Sequence, residues 1–335
     1  MNNRYLVTGC AGFIGAKVSE LLLEAGHEVV GLDNINDAYD VRIKDWRLSQ
    51  IKTHTNFHFH RLDIADRNPL EALFKQYSKI KSPGRENLPW SAVINLAARA
   101  GVRQSVEDPV AYLRTNVDGA LNLLELCGEF GVRKFIQAST SSLYGADNIQ
   151  PFSENSDTDH PISPYAASKK ATEALCHTYH YLHNIDVIVL RYFTVYGPAG
   201  RPDMSLFRFV QRISEERPVF IYGDGHQTRD FTYVDDIARG TIAALKATGF
   251  DVVNLGSNSP VSIMEVIELV EKLTAKTARI EFKPAHSTDV PATWADVSKA
   301  NHILKWAPQT GIEDGVGKLV QWYQDNRDWA RTIAN

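Results

Sequence analysis

Cysteine is scarce in this sequence: Cys10, Cys127 and Cys176 are its only three in 335 residues, far apart and without a CxxC pair. That excludes a disulfide-stapled scaffold and predicts a reducing, cytoplasmic compartment. There is no run of about 18 consecutive apolar residues, so no membrane span is expected. The chain enters a strand-like segment at once, which leaves no room for a signal peptide. Neither charge sign is in excess: 36 Lys and Arg face 40 Asp and Glu, a net charge of −4, which argues against a nucleic-acid partner. Repeats and low-complexity tracts are absent. The 11 histidines show no metal-ligand spacing, so no metal is expected. His58 and His60 alternate on one strand face and read as structural. What remains is an ordinary globular composition, 44% apolar and 23% charged, in a chain long enough for two domains or one domain with an appended lobe.

Apolar runs alternate with helical patterns through the first half. Tyr5–Thr8, Glu28–Leu32, Phe57–Leu62, Ala92–Leu96, Lys134–Ala138 and Val187–Arg191 read as strands, with a helix over about Gly12–Ala25. This alternation predicts an α/β fold: a doubly wound parallel sheet of the Rossmann type, its loops gathered over a crevice at the C-terminal strand ends. Two long helices, about Val110–Phe130 and Pro164–His183, carry more apolar surface than one sheet face needs. They fit either plain sheet packing or a four-helix interface in a homodimer. After Tyr196 the texture becomes polar and rich in Gly, Pro and Arg. The boundary therefore falls there: residues 1–196 as a nucleotide-binding domain with chain returns from the C-terminal part, and 197–335 mainly as a smaller, C-terminal substrate-binding lobe. Lys81–Pro89 reads as a surface loop.

Residues 7–15, VTGCAGFIG, place Gly9, Gly12 and Gly15 between a strand and a helix. Glycines at these points allow a tight turn, close backbone approach to a pyrophosphate and tight helix packing, while the helix N-terminus offers free N–H groups to the phosphates. Asp33, 18 residues after Gly15, ends the second strand, where a carboxylate suits two ribose hydroxyls and repels a 2′-phosphate. NAD is therefore the expected cofactor rather than NADP. Asp63 is placed to reach the adenine, with Asn34 and Ile64 flanking the same half.

Tyr165 and Lys169, in YAASK, share one helix face. A phenol of pKa about 10 is a poor base near neutrality. A lysine one turn away and a cationic nicotinamide would both stabilise the phenolate. STSSLYG, residues 139–145, presents a cluster of hydroxyls at the end of the fifth strand.

With these motifs, and with INLAA (94–98), NVDGALNLLE (116–125), RYFTVYGP (191–198), YGDGHQTRDFTYVDD (222–236) and VNLGS (253–257), the chain resembles the extended short-chain dehydrogenase/reductases of the nucleotide-sugar epimerase and dehydratase family over nearly its whole length. The resemblance implies a general acid/base role for Tyr165, with Lys169 as its partner and ribose ligand and Thr140 as a substrate-side hydroxyl. It puts Phe13, Ile14, Leu96, Ala97, Ala98, Asn116 and Tyr192 at the cofactor, with Phe193 beside the nicotinamide. Arg229 would hold a substrate diphosphate. Asp289 would meet the uridine ribose, with Phe207 and Tyr222 as candidates for the uracil pocket or, equally, for the core of the lobe. Asn95 departs from the histidine usual in relatives. Thr288 replaces a glycine in the nucleoside loop and bears on the local turn.

Within the family, 4,6-dehydratases carry an Asp-Glu pair after the threonine, because elimination needs an acid and a base, and decarboxylases place a glutamate there. This chain has Ser141-Ser142. C4 epimerisation needs only reversible hydride transfer. Residues 32–51, 97–105 and 197–207 are more similar to the glucuronate branch of the epimerases than to the glucose branch. That implies UDP-glucuronate and UDP-galacturonate as the sugars, with the carboxylate held by Thr140, Ser141, Ser142 and Thr194 and with Arg201 nearby. Oxidising C4 of a uronic acid gives a β-keto acid prone to lose carbon dioxide, so an epimerase must hold the carboxylate out of line with the ketone. Two other readings stay open: a UDP-glucose or UDP-N-acetylhexosamine 4-epimerase, and a catalytically silent NAD(H)-binding regulator.

Overall fold

The protein is described by a computed structural model covering residues 3–80, 88–285 and 289–334. Residues 81–87 of the expected surface loop, together with Ser287 and Thr288, lie outside these. Six strands come first: β1 (Arg4–Thr8), β2 (Glu28–Asp33), β3 (Phe57–Arg61), β4 (Ala92–Asn95), β5 (Lys134–Thr140) and β6 (Asp186–Tyr192). Between them run α1 (Phe13–Glu24), α2 (Val41–Ile51), α3 (Arg67–Ser78), α4 (Val102–Glu107), α5 (Pro109–Leu113), α6 (Gly119–Glu129) and α7 (Pro164–His183).

The later chain adds β7 (Thr194–Tyr196), β8 (Pro218–Tyr222), β9 (Thr228–Arg229), β10 (Phe231–Tyr233), β11 (Phe250–Leu255), β12 (Val261–Ser262) and β13 (Arg279–Lys283). Its longer helices are α8 (Ser205–Ser214), α9 (Val234–Ala243), α10 (Ile263–Thr274), α11 (Ser298–Leu304) and α12 (Ile312–Asp325). A seven-stranded sheet runs in the order β11-β6-β5-β4-β1-β2-β3, every neighbour parallel. The expected doubly wound fold is therefore present. Its strand order reverses between β1 and β4, which opens the crevice at the C-terminal ends of those strands.

The strands are continuous apolar runs because helices cover both faces of the sheet. One core gathers Val18, Leu22, Ile94, Ile188 and Leu190; the other gathers Leu70, Phe74, Leu123, Cys127 and Phe135. A third core, around Phe207, Val210, Ile213, Ile267, Trp322 and Tyr323, fills the lobe. The chain after Tyr196 serves both layers: β11 completes the large sheet against β6, and α9 packs on α1.

α7 keeps the expected bounds for local reasons. Ser163 caps it by accepting from the Ala166 N–H at 3.2 Å, Pro164 occupies its first turn, and Asn184 ends it in the left-handed region at φ 51°. Proline has no N–H to lose there, and asparagine tolerates that backbone. The helix expected over about 110–130 is interrupted: Arg114–Asp118 widen into a π-helical stretch between α5 and α6. Such bulges recur where a side chain must turn inward at a functional site, and here the residue turned inward is the buried Asn116.

His60 Nε2 lies 3.1 Å from the Tyr77 hydroxyl and His58 lies 3.7 Å from Glu28, both structural contacts. Among the described residues, no group of three or more His, Cys, Asp and Glu could hold a metal ion, and no helix is long and apolar enough to cross a membrane. All three cysteines are free thiols.

Candidate active site

A cleft of about 590 Å³ runs from the Gly9–Gly15 turn to the lobe, a volume suited to a cofactor together with a substrate. At its inner end the glycines are required by geometry. Gly9 has φ +68°, and a Cβ there would meet the Ala97 nitrogen at 2.8 Å; a Cβ on Gly15 would fall 2.0 Å from the Gly9 carbonyl oxygen. No side chain caps α1 at Gly12, so its first N–H groups are left for the cleft, where Phe13 and Ile14 lie.

Asp33 accepts from the Ala11 N–H at 3.1 Å and from the Ile35 N–H at 2.8 Å. A carboxylate has about four acceptor positions, so this one is fixed and still able to take two ribose hydroxyls. Asp63 accepts from Asn34 Nδ2 at 2.8 Å, and Ile64 lines the same wall. Leu96, Ala97 and Ala98 form the opposite wall, where the Leu96 and Ala97 N–H groups each donate to the Thr8 hydroxyl at 3.1 Å. These residues fit a dinucleotide without a 2′-phosphate. Asn95, the departure from the family pattern, takes the Thr8 hydroxyl proton at 2.7 Å and donates to Gln137 at 2.9 Å, bracing β1, β4 and β5 from below.

At the reactive end, Thr140 closes β5. Its oxygen accepts from the Ser142 N–H and its hydroxyl donates to Ser142 Oγ, each at 3.1 Å. Tyr165 faces this turn. Burial raises the Tyr165 phenol, while the Thr140 hydroxyl and the Arg201 charge oppose that shift. Lys169 donates to the Ala138 carbonyl at 2.9 Å. Burial lowers its ammonium from 10.5 to about 8, with Cys176 and Glu173 pulling the other way. The Arg201 charge thus acts on the Tyr165 phenol from across the cleft, while Lys169 stands one helical turn along α7 from it.

Thr194 stands across the cleft. Its N–H donates to the Asp230 carbonyl at 3.1 Å, and its hydroxyl makes no hydrogen bond to the described residues. Arg201 is held in a two-pronged pair with Asp203 at 3.1 and 2.6 Å and also donates to the Ala100 carbonyl at 2.9 Å. Tyr192 reaches the cleft wall while its hydroxyl is engaged with Thr241 at 2.8 Å.

At the mouth, Arg229 spends one donor on the Thr228 carbonyl at 2.8 Å, and its burial pushes its guanidinium down. Asp289 pairs with Arg103 at 2.6 Å, and the Arg103 guanidinium lies 4.1 Å over the Tyr222 ring.

Two expected site residues are not in the cleft wall. The Asn116 carboxamide accepts from the Arg99 N–H at 2.8 Å and donates to the Arg99 carbonyl at 3.0 Å and to Ser168 at 2.9 Å. It ties the loop after β4 to α7 and keeps no free donor for a ligand. Phe207 points into the lobe core, 6.1 Å from Trp322 and 6.5 Å from Tyr323, ring centre to ring centre; Phe209 faces the cleft instead. The sequence reading missed Arg103, Arg208 and Lys44, all of which line the cleft. Arg103 stands inside the AARAGVRQS segment, which was singled out as a whole.

The sequence profile of the GDP-mannose 4,6 dehydratase family matches residues 6–319. The chain belongs to this family of nucleotide-sugar epimerases and dehydratases. Family members of known name are similar along their full length. UDP-glucuronate 4-epimerase of Thermodesulfobacterium geofontis is 52% identical over 330 residues, 98% of each chain. The crystal structure of UDP-glucuronic acid 4-epimerase from Bacillus cereus, in complex with UDP-glucuronic acid and NAD, superposes with a TM-score of 0.88 at 36% identity, covering 96% of this chain and 99% of that one. UDP-glucose 4-epimerase of Thermotoga maritima with UDP-glucose follows at a TM-score of 0.87 and 31% identity, covering 97% and 99%.

Proposed function

We propose that the chain is an isomerase that uses bound NAD to epimerise UDP-glucuronate and UDP-galacturonate at C4. The observation that carries this reading is the ring of neutral hydroxyls, Thr140, Ser141, Ser142 and Thr194, around the Tyr165 side of the cleft. Neutral donors can hold a carboxylate in either sugar orientation without locking it. No Asp-Glu pair follows Thr140, so the elimination step of the dehydratases lacks its acid and base. The names of the similar epimerases, and the ligands of the Bacillus cereus enzyme, support the same substrate.

Tyr165 takes the C4 hydroxyl proton and later returns it, with Thr140 beside it at the end of β5. The cofactor, when bound, supplies a reversible hydride acceptor beside C4. The four hydroxyls hold the carboxylate out of line with the C4 ketone, while Arg229 pairs with the diphosphate. Asp289, which keeps acceptor positions beyond its pair with Arg103, and Tyr222 take the nucleoside. Residues 1–196 with the returning β11 serve the cofactor, and 197–335 mainly serve the nucleotide sugar.

The protein works as a cytoplasmic homodimer. The dimer is supported by the apolar Val106, Val110 and Leu113 along α4 and α5 and by Tyr181 and Leu182 on α7, all of which remain exposed, and the compartment by the three unpaired cysteines. The likeness to the Thermotoga maritima enzyme keeps UDP-glucose as the second reading. Incubation with UDP-glucuronate and, side by side, with UDP-glucose, followed by separation of C4 epimers, decides between them. Faster turnover of UDP-glucose overturns the first reading, and no turnover of either favours a silent binding protein. Sedimentation of the purified protein tests the dimer.

A further inference from the structure

Behind the reactive end lies a buried charged network that the reaction as derived does not use. Glu173, on α7, accepts from the Ser139 hydroxyl at 2.5 Å and from Arg191 Nε at 3.0 Å through one oxygen, and from Arg191 Nη2 at 2.8 Å through the other. Arg191 Nη1 donates to the Tyr144 hydroxyl at 3.1 Å, and that hydroxyl donates to Asn254 at 2.6 Å. Ser139, Arg191 and Asn254 form one row across β5, β6 and β11, and all three are buried. The next row, Thr140 and Tyr192, lines the cleft, and so does Ser139 at the edge of the network.

Three parts of the network sit on elements that carry site residues. Glu173 lies one helical turn after Lys169 and two after Tyr165, on the same face of α7. Ser139 precedes Thr140. Tyr144 closes the turn that carries Ser141 and Ser142. A well-packed apolar pair would fill the same space at less desolvation cost, but it would have no directional bonds to hold four elements in one geometry.

We infer that the Glu173–Arg191 pair is a positioning device for the reaction, fixing the helix that carries Tyr165 and Lys169 against the turn that carries Thr140, Ser141 and Ser142. Neither residue touches the substrate. Each acts through the placement of the phenol and the hydroxyl cluster relative to C4. The inference rests on the epimerase reading for its kinetic consequence and on the structure alone for the mechanical one.

The test compares wild type, Glu173→Gln and the double variant Glu173→Met/Arg191→Leu, each loaded with NAD. Glu173→Gln should lower kcat for UDP-glucuronate by about 10- to 100-fold, the effect of a misplacement on the order of 1 Å, with KM within about twofold. Amides of residues 139–145 should exchange with deuterium faster, while those of residues 8–16 keep their protection. The double variant should recover thermal stability, having no unpaired buried charge, yet stay slow. Recovery of kcat together with stability would show that the pair is packing only, as would unchanged exchange in residues 139–145. If Glu173→Gln does not fold, Tyr144→Phe removes one arm and leaves the ion pair, and it should slow kcat by about tenfold; an unchanged kcat there overturns the inference. If wild type turns over no UDP-glucuronate, the epimerase reading fails by itself, and the exchange experiment still decides the positioning role.

Discussion

Replacing Thr194 joins substrate choice to reaction outcome, and the structure sets the size of the effect. The Thr194 backbone is held twice, by its N–H bond to the Asp230 carbonyl at 3.1 Å and by the β7–β10 pairing in which it faces Phe231. A side-chain change there should leave the backbone in place. The Thr194 hydroxyl has no partner among the described residues, so removing it strands nothing inside the protein. What is lost is one hydroxyl-to-carboxylate hydrogen bond, worth about 1.5–3 kcal/mol, which corresponds to a fall in kcat/KM for UDP-glucuronate of about 10- to 150-fold. Thr194→Val makes the change at constant shape. Thr194→Ala also removes a methyl group, worth about 0.8 kcal/mol, but that loss falls on every sugar and cancels in the ratio of UDP-glucuronate to UDP-glucose. With the carboxylate less restrained, a small leak of UDP-4-keto-pentose should appear by mass spectrometry. Equal slowing of both sugars with no loss of carbon dioxide would refute the reasoning and make Thr194 a scaffold residue.

Tyr165→Phe keeps the ring and removes the proton acceptor, so turnover should drop by about 10²–10⁴-fold while calorimetric affinity for the nucleotide sugar stays near normal; near-normal turnover would mean that another group takes the C4 proton. Lys169 loses its proton near pH 8 because burial lowers it, so its charge is present below that pH and absent above it. The profile of kcat/KM should therefore fall as pH rises through about 8, and a profile flat through that region would show that the ammonium is not needed. Gly15→Ala places a Cβ 2.0 Å from the Gly9 carbonyl oxygen, which the turn cannot accommodate, so the purified variant should carry no nucleotide releasable by heat, whereas wild type should release NAD. Release of NADP from wild type would overturn the role given to Asp33.

Much of the fold was legible because its signals are local. Strands buried on both faces read as apolar runs, glycines mark the turn where backbones meet, and Ser163-Pro164 fixes where α7 begins. The π-helical stretch at Arg114–Asp118 was not legible, because nothing in the residues themselves widens a helix. The cause is tertiary: Asn116 is drawn inward by Arg99 and Ser168. The role of β11 as an edge strand of the large sheet depends likewise on where the chain returns. VNLGS was visible as a motif, but each of its partners on β6 lies 63 residues earlier, as Leu255 pairs with Tyr192.

The site shows where sequence patterns stop. A motif bound to a strand end or a glycine turn has one possible direction, and Gly9, Asp33 and Thr140 all reach the cleft. A residue inside a helix depends on rotational phase. On α8, Phe207 and Phe209 are two residues apart and so face roughly 200° apart; α8 buries Phe207 among Trp322 and Tyr323 and turns Phe209 to the cleft. Asn116 lies outside the cleft wall for a different reason: both of its donors are spent, one on the Arg99 carbonyl after β4 and one on Ser168 of α7. A substitution there should loosen the loop after β4 at Arg99. Arg103 was missed because it acts across the cleft: its partners Tyr222 and Asp289 lie more than a hundred residues away. Only the closure of the lobe over the sheet brings the guanidinium against the ring and carboxylate of the nucleoside end.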